Sequence, residues 1–312
     1  MTIPNQNSLS HIQNTIQLAK DINAELILSA GNTNLTYLSS SMTASKPIVY
    51  LKHSRAIPTI DVKNKTVTMT GASQLGTIHE QCALHGLRLK FDISAQNSEI
   101  FGLISTAAGG NQTGIASLIK EVTFVDGNGV IHSINQAEIQ HSYLGHSTFP
   151  TSIVGAQGTF GVITKAVLQL EEVKPYQTTV VIPVSKLNKL DRFLNAIRHD
   201  DLESCELIQK NCLKAIDSIG KRTRALSFDT PYALLVDWKS SSNQESETII
   251  SSLFASLEPD DCELINLVDN KIWDDRHHIS DGARQFSNSN ELMYKGYDLS
   301  IPQEIIHKAL HY

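Results

Sequence analysis

From Thr151 to Thr164 the chain reads TSIVGAQGTFGVIT, and this stretch limits the possible folds more than any other. Gly155, Gly158 and Gly161 recur at every third position, with Ala156, Gln157, Thr159 and Phe160 between them. A run of strand-forming residues follows at once: Val162, Ile163 and Thr164, then Ala166, Val167 and Leu168. A backbone this bare can come close to a flat or charged group with no side chain in the way. The first half of the chain is therefore expected to fold around what sits there.

The 312 residues suggest about two domains. Apolar residues make up 41% and charged residues 19%, which suits a packed core and excludes a chain disordered in bulk. The net charge of −6 and the lack of a long basic run argue against a nucleic-acid partner. No apolar run approaches the length of about 20 residues that spans a bilayer. The start, MTIPNQNSLS, has no basic segment followed by an apolar one, so no export signal is expected and the expected location is cytoplasmic. Cys82, Cys205, Cys212 and Cys262 are far apart with no CxxC pair, which points to reduced thiols and to no metal site.

Taken in order, residues 8–23 read as a helix capped by Ser8 or Ser10, with Ile12, Ile16, Leu18, Ala19 and Ile22 as its apolar face. A short strand at 25–29 runs into AGNTNLT (30–36), a polar turn whose N–H groups could converge on an anion. Strands are expected at 47–51 and 66–70, joined by the turn DVKNK, and a helix over 75–85 stopped by Gly86. The stretch FGLISTAAGGNQTG reads as a helix of small residues, able to pack tightly or to let a ligand near its N-terminus. Residues 118–134 form a hairpin with strands at 119–125 and 129–134, turned by Asp126, Gly127, Asn128 and Gly129. The GNG there lacks the third glycine and the helix of a dinucleotide fingerprint.

Past Pro175 the pattern becomes strand–helix repeated four times: TTVVIPV, a helix capped by Ser185, CELIQ, a helix ended by Gly220, YALLVDWK, a helix over SETIISSLFASL, CELINLV, and a helix over 271–286 capped by Asn270. Such alternation suggests helices covering a sheet, in a second domain that begins near 174–177.

The three stretches AGNTNLT, GLISTAAGGNQTG and VGAQGTFGVIT, in this order and at these separations, resemble the FAD-binding domain of the vanillyl-alcohol-oxidase and p-cresol-methylhydroxylase type. The resemblance covers residues 1–173 and implies an α+β class with a two-part FAD-binding domain (1–174). It implies that Ala30, Gly31, Asn32, Thr33, Asn34 and Leu35 wrap the pyrophosphate. Ser94, Asn97, Gly102, Ser105, Thr106, Ala107, Gly109 and Gly110 would follow the pyrophosphate and ribityl chain. Gly155, Gly158 and Gly161 would give room, and Val162 and Ile163 would offer main-chain contacts near the adenine. No histidine stands in the first turn for covalent attachment, so non-covalent FAD is implied. Two departures stand out. Tyr37 and Leu38 follow the first turn where the family continues into glycines, and Gln157 replaces a glutamate.

IWDDRHHISDGARQF and YKGYDLSIPQEII resemble the FAD-linked D-2-hydroxyacid dehydrogenases, close to members that oxidise D-2-hydroxyglutarate, D-lactate or glycolate. Trp273 and Arg276 match the tryptophan–arginine helix of that family's cap domain. The resemblance implies that Arg276, Ser280 and Lys295 hold the substrate carboxylate. Arg276 and Ser280 are four apart, on one face if the helix is continuous, and arginine can hold a carboxylate by two parallel hydrogen bonds. The family's cap continues well past Tyr312, and that tail carries its metal-binding histidines and its base. The expectation is therefore a partial α+β, ferredoxin-like cap at 175–312, with catalytic residues unassigned and no metal in this chain. The implied reaction is oxidation of a D-2-hydroxyacid by hydride transfer to the flavin, with a separate electron acceptor. The alternative is an FAD-binding protein or fragment without turnover, completed by a partner chain or by self-association. A UDP-sugar enolpyruvyl reductase on the same flavin fold is disfavoured by the cap motifs.

Overall fold

A computed structural model of the chain describes residues 8–29, 47–93, 95–110, 113–141, 151–197, 202–223, 226–257, 266–267 and 272–290. The chain divides into two compact units, Met1–Val173 and Lys174–Tyr312.

The first unit begins with α1 (Leu9–Asp21), whose Ser8 cap accepts a hydrogen bond from the His11 amide at 3.2 Å. Ile12, Ile16 and Ala19 are buried because their spacing keeps them on one face. Leu18 and Ile22, expected on that face, fall off it and are 52% and 48% exposed. The buried face packs with Leu51, Val125 and Val162, joining a small parallel pair to a larger sheet. The pair is β1 (Glu25–Ser29) with β2 (Ile48–Lys52), in register from Glu25 opposite Ile48 to Ser29 opposite Lys52.

The larger sheet is antiparallel, in the order β3 (Thr59–Asp61), β4 (Thr66–Met69), β8 (Val162–Gln169), β6 (Ile119–Val125) and β7 (Ile131–Asn135). DVKNK therefore turns β3 into β4, where the sequence placed the preceding strand at 47–51. α2 (Leu75–Ala83) buries Leu75, Ile78 and Cys82, and the chain leaves it through Gly86 at φ +65°. Two-residue strands β5 (Leu87–Arg88) and β9 (Glu171–Glu172) pair beyond it. α3 (Ile100–Ser105) is six residues long and buries Ile100, Phe101, Leu103 and Ile104. The small residues from Ser105 on thus follow the C-terminal end of this helix and do not form a helix N-terminus, because Ala107 turns into the left-handed region at φ +48°. At the β6–β7 turn Asp126 Oδ1 accepts from the amides of Asn128 (2.7 Å) and Val130 (2.9 Å). β7 leads into α4 (Gln136–His141).

The second unit is a four-stranded antiparallel sheet in the order β11 (Leu202–Gln209), β12 (Tyr232–Ser240), β10 (Tyr176–Val184), β13 (Asn266–Leu267). Both faces of its central strands are covered, so they read as continuous apolar runs. Val180, Ile182, Leu234, Val236 and Trp238 pack under α5 (Leu190–Ala196) and α7 (Asn243–Ala255). Val181, Ile208, Ala233 and Leu235 face α6 (Lys210–Ser218) and α8 (Ile272–His277). Ser185 does not cap a helix. A 3₁₀ turn at Leu187–Lys189 comes first and buries Leu187, and α5 starts only at Leu190.

The single helix expected over 271–286 is two, α8 and α9 (Ile279–Ser289), with His278 between them at φ −92°, ψ −3°. Asn270 lies outside the described residues. Two anchors accompany the break. Asp275, fully buried, accepts from the amides of Thr223 (2.5 Å) and Leu226 (3.0 Å). Gly282 on α9 lies against α6 so closely that a Cβ there would stand 2.5 Å from the Ala215 carbonyl oxygen.

Backbone cannot move aside as a side-chain tip can, so Gly282→Ala should destabilise the second unit by about 1–3 kcal/mol, despite alanine's better helix propensity. Gly127→Ala, with nothing within 4 Å of the added Cβ, should stay within about 0.5 kcal/mol of the parent. Both tryptophans, Trp238 and Trp273, lie in the second unit, so their fluorescence during urea unfolding reads it directly. A Gly282→Ala protein as stable as the parent would remove the close helix contact.

Candidate functional site

In the first unit the flanks of all three glycine-bearing stretches meet. Residues 30–35 lie outside the described residues, but β1, which leads into them, is described to Ser29. The Leu28 side chain stands 3.0 Å from where a Cβ on Gly158 would be. A Cβ on Gly155 would meet the Ala107 side chain at 3.3 Å. The amide of Gly155 donates to the Ile104 carbonyl (3.1 Å) and that of Gln157 to the Ser105 carbonyl (2.7 Å). The 105–110 segment is in turn closed on itself: Ala108 N–H to Leu103 O (2.9 Å), Gly110 N–H to Thr113 O (3.0 Å) and Ile115 N–H to Ala108 O (2.9 Å). Gly155, Gly158 and Gly161 all have positive φ, and so do two residues with side chains, Ala107 (+48°) and Gln157 (+52°). Backbone in such regions collects at ligand sites.

Gly110, Gly155, Gly158 and Gly161 thus have protein atoms close to where a Cβ would stand. Gly161 has the Val125 carbonyl and Asp126 against it, and Gly110 the Phe91 ring. The sequence reading expected Gly155, Gly158 and Gly161 to leave room for a ligand. On the side that a Cβ would occupy they meet Ala107, Leu28 and the β6–β7 turn. Gly102 sits inside α3, and Ser105 and Gly109 at its exit. The Thr106 hydroxyl donates back to Gly102 O at 3.0 Å. Asn97 is exposed in a turn tied to α2 through Leu75 N–H to Ser98 O (2.9 Å) and Gly76 N–H to Gln96 O (2.9 Å). Ser94 lies outside the described residues. Val162 and Ile163 are buried and pair in the sheet with Val125 and Phe124.

One further side chain belongs to this region and was not found from the sequence. His53 follows β2 directly, its ring edge-on to Phe101 with 5.1 Å between centroids. It hydrogen-bonds the main chain of Ile163, and burial holds its pKa below the usual histidine value. Its Nδ1 is buried with no hydrogen-bond partner among the described residues.

The donor set here is chemically uniform. AGNTNLT, GLISTAAGGNQTG and VGAQGTFGVIT contain no charged residue, so the segments offer amides and hydroxyls alone. That suits a dinucleotide held by many neutral bonds, and the buried acceptor on His53 adds a place for one donor of such a group.

In the second unit Arg276 on α8 is mostly buried and paired with Glu206 of β11: Nε donates to Oε1 (2.9 Å) and Oε2 (3.0 Å), and Nη2 to Oε1 (2.5 Å). Arg276 and Ser280 are therefore not on one continuous helix, because the break at His278 separates them. Ser280 belongs to α9, its side chain lies outside what is described, and so does all of Lys295. Asp237 is 3% exposed and accepts from Thr179 Oγ1 (2.5 Å) and Gln177 Nε2 (2.9 and 3.0 Å). Burial outweighs these bonds and pushes its pKa up to about 6. Its sequence signal was one acid inside the apolar run YALLVDWK. Burial disfavours the thiolate at Cys82 and Cys205, raising their pKa to about 11 and about 12. Among the described residues there is no group of metal-ligating side chains and no helix long and apolar enough to cross a membrane.

Residues 6–135 match the FAD binding domain family. The chain is 21% identical over 259 residues to a D-2-hydroxyglutarate dehydrogenase of Xanthomonas citri pv. viticola, covering 80% of this chain and 54% of the relative. Its fold is similar to an alkyldihydroxyacetonephosphate synthase structure (TM-score 0.67, 14% identity, 90% of this chain and 55% of the other). It is also similar to Phl p 4, a grass pollen allergen with glucose dehydrogenase activity (TM-score 0.59, 17% identity, 84% and 50%). The chain spans about half the length of the relatives it matches.

The Asp237 carboxyl gives a pH test of the second unit. Its folded pKa is raised from 3.8 to about 6, so the native state keeps a proton that the unfolded chain releases. Its contribution is fully favourable below the unfolded value and is lost as pH rises through about 6. At pH 7 the ionised group costs on the order of 2–3 kcal/mol. Asp237→Asn should therefore be more stable than the parent at pH 7, with the gap closing towards pH 4. A gap independent of pH, measured by urea unfolding at several pH values, would rule this out.

Proposed function

We propose that this chain, whose N-terminal unit is an FAD-binding domain of the vanillyl-alcohol-oxidase and p-cresol-methylhydroxylase type, is an FAD-dependent oxidoreductase acting on a D-2-hydroxyacid. FAD is its cofactor, and the fold is that of the FAD-binding oxidoreductases. The observation that carries the cofactor half is the meeting of Leu28, Ala107, Gly155 and Gly158 on a charge-free backbone cradle. The substrate half is supported by the distant D-2-hydroxyglutarate dehydrogenase relative and by Arg276 on α8.

In this reading the main-chain amides of the Ala30–Leu35 turn hold the pyrophosphate. The Ser105–Gly110 segment lies along it as a wall, since its amides at Thr106, Ala107, Ala108 and Gly110 are bonded within the protein, and the loop 155–161 fixes that segment. Bound FAD supplies the acceptor for two electrons and the substrate's α-hydrogen. Arg276 orients the substrate carboxylate, with Ser280 and Lys295 assisting. Glu206 fixes the plane of the guanidinium through Nε and Nη2. A buried arginine without such a partner would carry an uncompensated charge.

A second reading is an FAD-binding protein without turnover. The Glu206 carboxylate favours it, since it already occupies one edge of Arg276 where a substrate carboxylate could bind.

The purified chain, reconstituted with FAD, should show oxidised flavin absorbance, and anaerobic D-2-hydroxyglutarate or D-lactate should bleach it. A protein that holds flavin but is bleached by no D-2-hydroxyacid supports the second reading. One that takes up no flavin at all defeats both.

Arg276→Lys keeps the charge but loses the fork, and should weaken hydroxyacid binding at least about tenfold, read as perturbation of the flavin spectrum. Glu206→Gln weakens the same ion pair but keeps an oxygen that can accept from Nε, and should weaken hydroxyacid binding less than Arg276→Lys. Equal loss in both variants would make Arg276 a structural residue only.

A further inference from the structure

We propose that His53 is a cofactor-positioning residue whose Nδ1 accepts a hydrogen bond from a hydroxyl or amino group of bound FAD. The inference rests on FAD as the cofactor and goes beyond the three glycine-bearing stretches, none of which contains this residue.

The placement is the first argument. β1 and β2 run parallel, and their last paired residues are Ser29 and Lys52. Residue 30 follows β1 in the chain and His53 follows β2 at the same end of the pair. The ring then reaches Phe101, next to Gly102, and the main chain of Ile163, two residues past Gly161. One side chain thus stands beside the flanks of all three stretches.

The bonding is the second argument. The Ile163 bond favours the protonated ring nitrogen, so the ring donates to the carbonyl there. Nδ1 has no partner among the described residues, which makes Nε2 the donor. Burial lowers the ring's pKa, and in the neutral ring with Nε2 as the donor Nδ1 carries a lone pair. A buried acceptor left unmatched is costly, and native proteins seldom keep one without a reason.

The chemistry of the partner follows from that lone pair. The pyrophosphate oxygens only accept, so they are excluded as the group facing a neutral Nδ1. The ribityl and ribose hydroxyls and the adenine amino group can donate.

The test uses the full chain, stripped of flavin and titrated with FAD by fluorescence quenching. His53→Phe keeps the packing on Phe101 and removes the acceptor. The dissociation constant should rise about tenfold, the size of one hydrogen bond to a neutral partner. The melting temperature of the flavin-free form should fall less than that of the loaded form, because the bond to Ile163 is lost in both and the bond to FAD in the loaded form alone.

His53→Asn, whose amide oxygen can take the place of Nδ1, should regain part of the affinity. Repeating both titrations with FMN locates the donor: equal weakening puts it in the ribityl half, and weakening with FAD alone puts it in the adenosine half. His53→Phe binding FAD as tightly as the parent would overturn the proposal. So would a flavin-free form destabilised as much as the loaded one, which would make His53 a packing residue. A parent chain that takes up no FAD would instead defeat the cofactor reading itself.

Discussion

Leu28 stands where a side chain at position 158 would begin, and the first unit's site depends on that contact. Three segments far apart in sequence have to meet: the end of β1, the exit of α3 and the turn between β6 and β7. They can meet only because the loop 155–161 presents bare backbone to each in turn. Gly155 faces Ala107, Gly158 faces Leu28 and Gly161 faces Val125 and Asp126. Their positive φ values rule out easy replacement even where space could be made. Ala107 and Gln157 adopt the left-handed region without glycine's freedom, at about 1–2 kcal/mol each. The Ala108–Leu103 and Gln157–Ser105 main-chain bonds hold them there.

The second unit meets a different constraint. Its sheet is covered by helices, so a carboxylate on it needs a partner or bears the cost of burial. Glu206 and Asp237 illustrate the two outcomes on one sheet. Glu206 meets a guanidinium and forms an ion pair. Asp237 meets only the neutral donors of Thr179 and Gln177, and burial raises its pKa to about 6. The two differ in partner and in depth, since Glu206 stands on the edge strand β11 and Asp237 on the central strand β12.

Most elements were legible because their signals are local. The Ser8 cap, the Ile12–Ile16–Ala19 face, the left-handed stops at Gly86 and Gly220 and the Asp126–Gly129 turn each follow from a few adjacent residues. The apolar runs of β10 and β12 announced a sheet covered on both sides. Features set by distant contacts were not legible. β3 is three residues long and exists because β4 pairs with it. No proline or glycine marks the break at His278, which accompanies the burial of Asp275 and the approach of Gly282 to α6. The glycine ladder announced a bare backbone, but sequence could not say whether protein or ligand fills the space. His53 and Glu206 looked like any isolated polar residue, since their partners on β8 and α8 are remote in the chain.

A cradle without charge shapes how cofactor binding and folding depend on each other. A lysine or arginine could hold a pyrophosphate from a range of positions, because Coulomb attraction falls off slowly. Amide donors cannot, because a hydrogen bond weakens steeply once its angle is lost. Each neutral bond contributes only about 0.5–1.5 kcal/mol, so affinity requires several at once. All of them are set by the same left-handed turns and glycine contacts that hold the unit together. A change that lets Gly155 or Gly158 shift away from Ala107 or Leu28 would therefore displace the end of β1 and the exit of α3 together. Conversely, a group that binds only the folded cradle adds its binding free energy to the stability of those strained turns. The left-handed turn at Ala107 is the cap that ends α3, closed by Ala107 N–H to Ile104 O and Ala108 N–H to Leu103 O, and the Gln157–Ser105 bond ties the second left-handed turn to the same helix exit.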